Sequence, residues 1–256
     1  MPSWNIHTAH VERLFSLHDP AELGIEDPNA FLFGNYVPDV FVGYMVPGVS
    51  MHVDYCITHV AKISMIPVSN ADFFWNQNIA YRMPKTPSGR SLTLGTWAHL
   101  VADRFFNGTF RTFWAEHDIP LGDALRVGKQ ADFDLFGRGL GISSYVEETP
   151  ELIQAAYDFN PYRFLADDLH RAIETANNIT REGGALPVCP TGYQLLDEEW
   201  LRGVFNACNE RLETWLLAWQ RLVRDGRPVL ARDIRDEAGL APAMPDTPDW
   251  MEERIR

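Results

Sequence analysis

Apolar residues recur with helical spacing along several stretches of the chain. From Ile6 to Leu17 they fall at Ile6, Ala9, Val11, Leu14, Phe15 and Leu17, and Pro20 closes the segment, which predicts a first helix. From Ser91 to Phe106 the apolar or small positions Leu92, Leu94, Gly95, Ala98, Val101, Ala102 and Phe105 predict a helix running through the core and carrying His99 and Asp103. Residues 151–159, 162–180 and 197–224 each predict a further helix. The last is long, with Leu201, Val204, Phe205, Cys208, Leu212, Trp215, Leu216, Trp219 and Leu222 along one side.

Between the first and the central helix the period is lost. Residues 30–40, AFLFGNYVPDV, predict a short buried helix or turn that stops at Gly34 or before Pro38, because proline disfavours helical backbone in the residue before it. Asp39 is therefore expected at a chain bend. Residues 40–90 are rich in Pro, Gly and aromatics, and the segment MPKTPSGR is expected to be an exposed loop. No stretch has the alternation of paired strands. The expectation is an all-α, single-domain multi-helix bundle with a long irregular loop region between the first and the central helix. Its domain covers residues 1–225, and a Pro-rich polar tail covers 226–256.

Composition narrows the function classes. A chain of 256 residues is long enough for one substantial core, and 46% hydrophobic with 22% charged residues is a globular balance. The 22 Lys and Arg against 35 Asp and Glu give a net charge of −13, which repels polyanions and argues against a nucleic-acid partner. Cys56, Cys189 and Cys208 form no CxxC pair and read as reduced thiols. The opening residues lack the basic and apolar regions of a signal peptide, and no stretch approaches the roughly 18 apolar residues of a membrane span. A cytoplasmic protein with no stable membrane insertion is the expectation.

The sharpest chemical signal is His99-Leu-Val-Ala-Asp103. Residues four apart share a helix face, so an imidazole and a carboxylate so placed can share a metal ion. On its own such a pattern is more often a hydrogen-bonded core histidine. His7, His10, Asp39 and His59 stand in apolar sequence nearby, and Asp39, flanked by Val37, Pro38, Val40 and Phe41, needs a cation, a hydrogen-bonding nest or water at a turn. His10 reads as a ligand or as an outer partner, and His52 and Asp54 as accessory groups near His59. His18 and His170 read as structural, and Trp75, Trp97, Trp114 and Phe73 as core packing or as the lining of a pocket.

Trp-Asn-Ile-His-Thr-Ala-His on the first helix, Phe-Gly-Asn-Tyr-Val-Pro-Asp ending at Asp39, Thr58-His59, and Leu-Gly-Thr-Trp-Ala-His-Leu-Val-Ala-Asp around His99 and Asp103 occur in that order. Over roughly residues 1–140 they resemble the bacterial zinc-dependent phospholipase C family. The resemblance implies a metal-dependent phosphoric ester hydrolase in which zinc-activated water attacks a phosphodiester. It implies Asp39, His59, His99 and Asp103 around one metal, with Asp103 bridging to a second near His7, and Asp39 as the catalytic group that orients or deprotonates water. The substrate it implies is a phosphate ester or a phospholipid head group. The secreted members follow HxxxD within a few residues with another His and later with an HxxxE pair, whereas here Asp103 is followed by RFFNGTFRTFWAEH, which has neither an early His nor HxxxE. One or two zinc ions are therefore expected, fewer than the family's three, with another divalent metal as the alternative. His117, Asp132 and Asp134 are the candidate replacements, the two aspartates suiting a harder, oxygen-ligated ion, and Lys129 is a candidate phosphate contact. The alternative for Asp132 and Asp134 is a solvated acidic face. The alternative function is a non-catalytic member of the same fold that binds one structural metal and a small molecule or protein partner.

Overall fold

The computed structural model describes residues 2–117, 119–120, 122–183, 192–223 and 228–240. The order is α1 (Trp4–Leu17), a 3-10 turn (Pro20–Leu23), α2 (Pro28–Gly34), α3 (Val37–Val40), α4 (Tyr55–Thr58), and α5 (Ala71–Phe74) running into a π-helical turn (Trp75–Ala80). Then come α6 (Pro87–Glu116), α7 (Asp123–Arg138), α8 (Pro150–Tyr157), α9 (Ala166–Gly183), α10 (Glu198–Leu222) and α11 (Ala231–Ala238). Among the described residues β pairing is limited to an isolated antiparallel bridge between Ala61 and Ser69, so the all-α expectation holds. No described helix is long and apolar enough to cross a membrane.

The central helix α6 has 30 residues, about 45 Å at the usual rise. It starts earlier than the apolar pattern predicts. Pro87 needs no N–H partner in the first turn, and Thr86 accepts from the Gly89 N–H at 3.2 Å, so the end of the segment expected to be an exposed loop is the helix start. Helix α2 lies directly against α6. A Cβ on Gly34 would collide with the Leu92 carbonyl oxygen, and one on Gly95 with that of Phe31. The two glycines thus let the backbones touch, which brings the chain after α2 up to His99.

Two apolar clusters flank α6. One gathers Trp75, Trp97, Trp215 and Trp219 with ring centres 5.0–5.5 Å apart, which settles Trp75 and Trp97 as core. Trp114 is buried in the other cluster, while Phe73 is half exposed. That second cluster joins Phe106 and Phe110 of α6 to Phe133 and Phe136 of α7. Helix α7 buries Leu125, Gly128, Lys129, Asp132, Phe133, Phe136 and Gly137. The spacing is helical, but the apolar pattern does not reveal it because two of those inward positions are charged.

Within the segment expected as a tail, residues 228–240 pack against the helices. Ala231 and Ile234 of α11 are buried against α10, the Trp75 indole donates to the Val229 carbonyl at 3.0 Å, and Asn76 accepts from the Ala231 N–H at 2.8 Å. Residues 241–256 and Cys189 lie outside the described residues. Cys56 and Cys208 are free thiols.

Candidate metal centre

Four segments meet at one point against α6. Helix α1 brings His7, the short α3 brings Asp39, the end of α4 brings His59, and α6 brings His99 and Asp103; all five residues are fully buried. Asp39 does not sit at an open bend. Pro38 lies in the first turn of α3, where a missing N–H is harmless, and the carboxylate points inward.

The ligand atoms face one another. His59 Nε2 is 3.0 Å from His99 Nε2, 3.4 Å from Asp39 Oδ1 and 3.3 Å from Asp103 Oδ2. His99 Nε2 is 4.0 Å from Asp39 Oδ1 and 4.0 Å from Asp103 Oδ1. Two ligands bound to one tetrahedral zinc at about 2.0–2.1 Å stand about 3.3 Å apart, so this set has the spacing of a first coordination sphere. Asp103 turns its other oxygen, Oδ1, to His7 Nε2 at 3.8 Å, and the His7 ring stacks on His99 at 3.9 Å.

Neighbouring groups aim these side chains. The Asn35 carbonyl accepts from His99 Nδ1 at 2.7 Å, which leaves the Nε2 lone pair facing the cluster. Thr58 Oγ1 lies 2.8 Å from His59 Nδ1 and can accept its proton, freeing His59 Nε2 in the same way. Trp4 donates its indole N–H to Asp39 Oδ2 at 2.9 Å, and Tyr55 donates its hydroxyl to Asp103 Oδ2 while its ring stacks on His59 at 3.8 Å. Directly after His59 the chain turns sharply, so that the Ala61 N–H reaches the Cys56 carbonyl at 2.9 Å. Val60 accordingly takes φ of +51°, an unusual conformation for a β-branched residue that costs about 1–3 kcal/mol.

Electrostatics agree with ligand chemistry. Burial first, then the charges of His99, His10 and His59, hold His7 well below the ordinary imidazole value. Burial also holds His99 below that value, against the pull of Asp39 and Asp103. Neutral imidazoles are the form that binds metal. Burial pushes Asp39 up, but the imidazoles of His99 and His59 and the Trp4 N–H outweigh it, and the carboxyl is held below its ordinary value. Two buried carboxylates beside neutral imidazoles are costly without a cation.

The observation that tests the fit to a metal is the set of unpartnered atoms. Asp39 Oδ1, Asp103 Oδ1 and both His7 nitrogens are buried with no hydrogen-bond partner, in interiors where such atoms are normally paired. His7, His99 and Asp103, and Asp39, His59 and His99, each offer ligand atoms within 4.8 Å of one another. These buried groups could hold a metal ion.

The other candidates fall elsewhere. His10 Nδ1 donates to Asn209 Oδ1 at 2.9 Å and the ring stacks on Phe205, so it is a core histidine one turn beyond His7. His117 is exposed, stacked on Phe113 and bonded to the Phe113 carbonyl oxygen at 2.8 Å. Asp132 is buried and does not lie on a solvated face. Its oxygens accept from the backbone N–H groups of Gln194, Leu195 and Leu196 at 2.6, 2.8 and 2.9 Å, which ties that segment to α7. Asp134 accepts from Gln130 at 3.0 Å, and burial raises its carboxyl above the ordinary value. Neither aspartate nor His117 belongs to a group of potential metal ligands among the described residues. His52 is exposed, and Asp54 caps α4 through the Cys56 N–H. His18 pairs with Glu213 and His170 with Glu148, both at 2.8 Å, as structural residues do. Trp4, Asn35 and Tyr55 support the centre but carry no metal-ligand signature, and their roles emerge only from the folded chain. Searches against family models, curated proteins and solved structures found no match to this chain.

Proposed function

We propose that this protein is a metal-dependent phosphoric ester hydrolase of the phospholipase C type, acting in the cytoplasm on a phosphate ester or a phospholipid head group. The observation that carries the reading is the convergence of Asp39, His59, His99 and Asp103 on one point with unpartnered acceptor atoms turned toward it. The ordered motifs that resemble the zinc-dependent phospholipase C family supply the reaction class. In this reading those four side chains would hold zinc, and His7 would lie on the far side of Asp103. A divalent ion at such a point supplies Lewis acidity toward phosphoryl oxygen and acidifies water. Trp4 fixes Asp39 through Oδ2, and in this reading the side chain would orient the water or accept its proton. Tyr55 fixes Asp103 through Oδ2.

The test is hydrolysis of chromogenic phosphodiesters and phosphomonoesters by protein purified without chelator. Turnover should disappear with chelator, return with zinc, and fall at least about 100-fold in Asp39→Asn, the usual scale for losing a general base. Full zinc occupancy without turnover would instead support a non-catalytic protein with one structural metal. One observation favours that second reading: all five side chains are fully buried, and closed four-ligand sites are the structural kind.

A further inference from the structure

Lys129 is a buried cation outside the ligand set. It is 7% exposed on the inward stripe of α7, and its Nζ donates to Asn107 Oδ1 at 3.0 Å. The rings of Phe133 and Phe110 lie 5.3 Å and 5.6 Å from the ammonium. A neutral amide and two ring faces solvate a cation without cancelling its charge. Asn107 follows Asp103 by one turn of α6; burial lowers the proton affinity of the Lys129 amine, and the Asp103 carboxylate acts on it in the opposite direction.

Ligand supply limits how many ions that side accepts. His99 is common to both groups of potential ligands, and its Nδ1 is occupied by the Asn35 carbonyl, so a second ion would retain only His7 and Asp103, fewer than the three protein ligands of ordinary sites.

We propose that the centre takes a single divalent ion, that the Lys129 ammonium stands where a second positive charge would otherwise be needed, and that ion and ammonium together bind the anionic oxygens of a phosphate group. This rests on the reading of the centre as a phosphate-ester site. It makes Lys129 a substrate-binding residue and leaves the His7 edge of Asp103 free of metal.

The experiment is calorimetric titration with zinc, then with inorganic phosphate, on the wild type, Lys129→Met and Lys129→Arg. Methionine keeps the apolar stem among the phenylalanines, and Lys129→Gln replaces it if the methionine variant fails to fold. The wild type should take one tight equivalent of zinc and bind phosphate only when zinc-loaded. Lys129→Met should keep the zinc equivalent but bind phosphate at least about 10-fold more weakly, with Lys129→Arg near wild type. Two tight zinc equivalents in the wild type, or equal phosphate affinity in Lys129→Met, would overturn this proposal alone. No zinc uptake would overturn it together with the functional reading.

Discussion

Asp103→Asn is expected to abolish tight zinc binding and, with it, a zinc-dependent rise in melting temperature of about 8–16 °C. A ligand present at 1,000 times its Kd stabilises the folded state by about 4 kcal/mol, and each kcal/mol moves the melting point of a chain approaching this size by about 2–4 °C. Asp103 is the residue to change because both its oxygens face potential ligands, Oδ2 toward His59 and Oδ1 toward His7 and His99. The sign in chelator separates a metal role from a structural one. Asp39 and Asp103 are both buried, and the asparagine variant keeps an oxygen for the Tyr55 hydroxyl while removing one of two like charges. In chelator the variant should therefore melt at or above the wild type, and in zinc well below it. A variant that melts far below the wild type in chelator, or gains as much from zinc, would show that the carboxylate serves the fold.

The second large effect is acid sensitivity well above the carboxylate range. His7, His10 and His99 are all held below the ordinary imidazole value, chiefly by burial, His10 at about 4. The unfolded chain therefore takes up protons first as pH falls. The stabilisation is complete above about pH 6.5 and is lost progressively below it, down to each folded value. For His10 alone the loss is about 3 kcal/mol by pH 4, and His7 and His99 act in the same direction. Asp39, held below its ordinary value, contributes stability that is lost only below the carboxylate range and does not enter this window. Urea midpoints in chelator should be flat from pH 7.5 to 6.5 and fall steeply to 4.5, with a shallower fall in His10→Gln. A midpoint unchanged down to pH 4.5 would contradict the buried neutral imidazoles.

The sequence made the long helices legible because their inward positions are apolar, as along Leu201 to Leu222 of α10. It hid α7 because Lys129 and Asp132 occupy inward positions and are satisfied by Asn107 and by three backbone N–H groups. The centre was legible as residue types. His99 and Asp103 share a helix face, and the other ligand candidates stand in apolar sequence that implies burial. What could not be read was the aim of each side chain, which depends on contacts between distant segments. Asn35 reaches His99 only because Gly34 and Gly95 let α2 and α6 touch, and Trp4 reaches Asp39 only because α1 lies beside α3. The partners of Asp132 were hidden for a similar reason: the backbone that it binds lies 62–64 residues further along the chain.

The most direct measurement is anomalous diffraction at the zinc edge from crystals grown without chelator. The account predicts one strong peak about 2.0–2.2 Å from Asp39 Oδ1, His59 Nε2, His99 Nε2 and an oxygen of Asp103. No peak there after zinc soaking would contradict it.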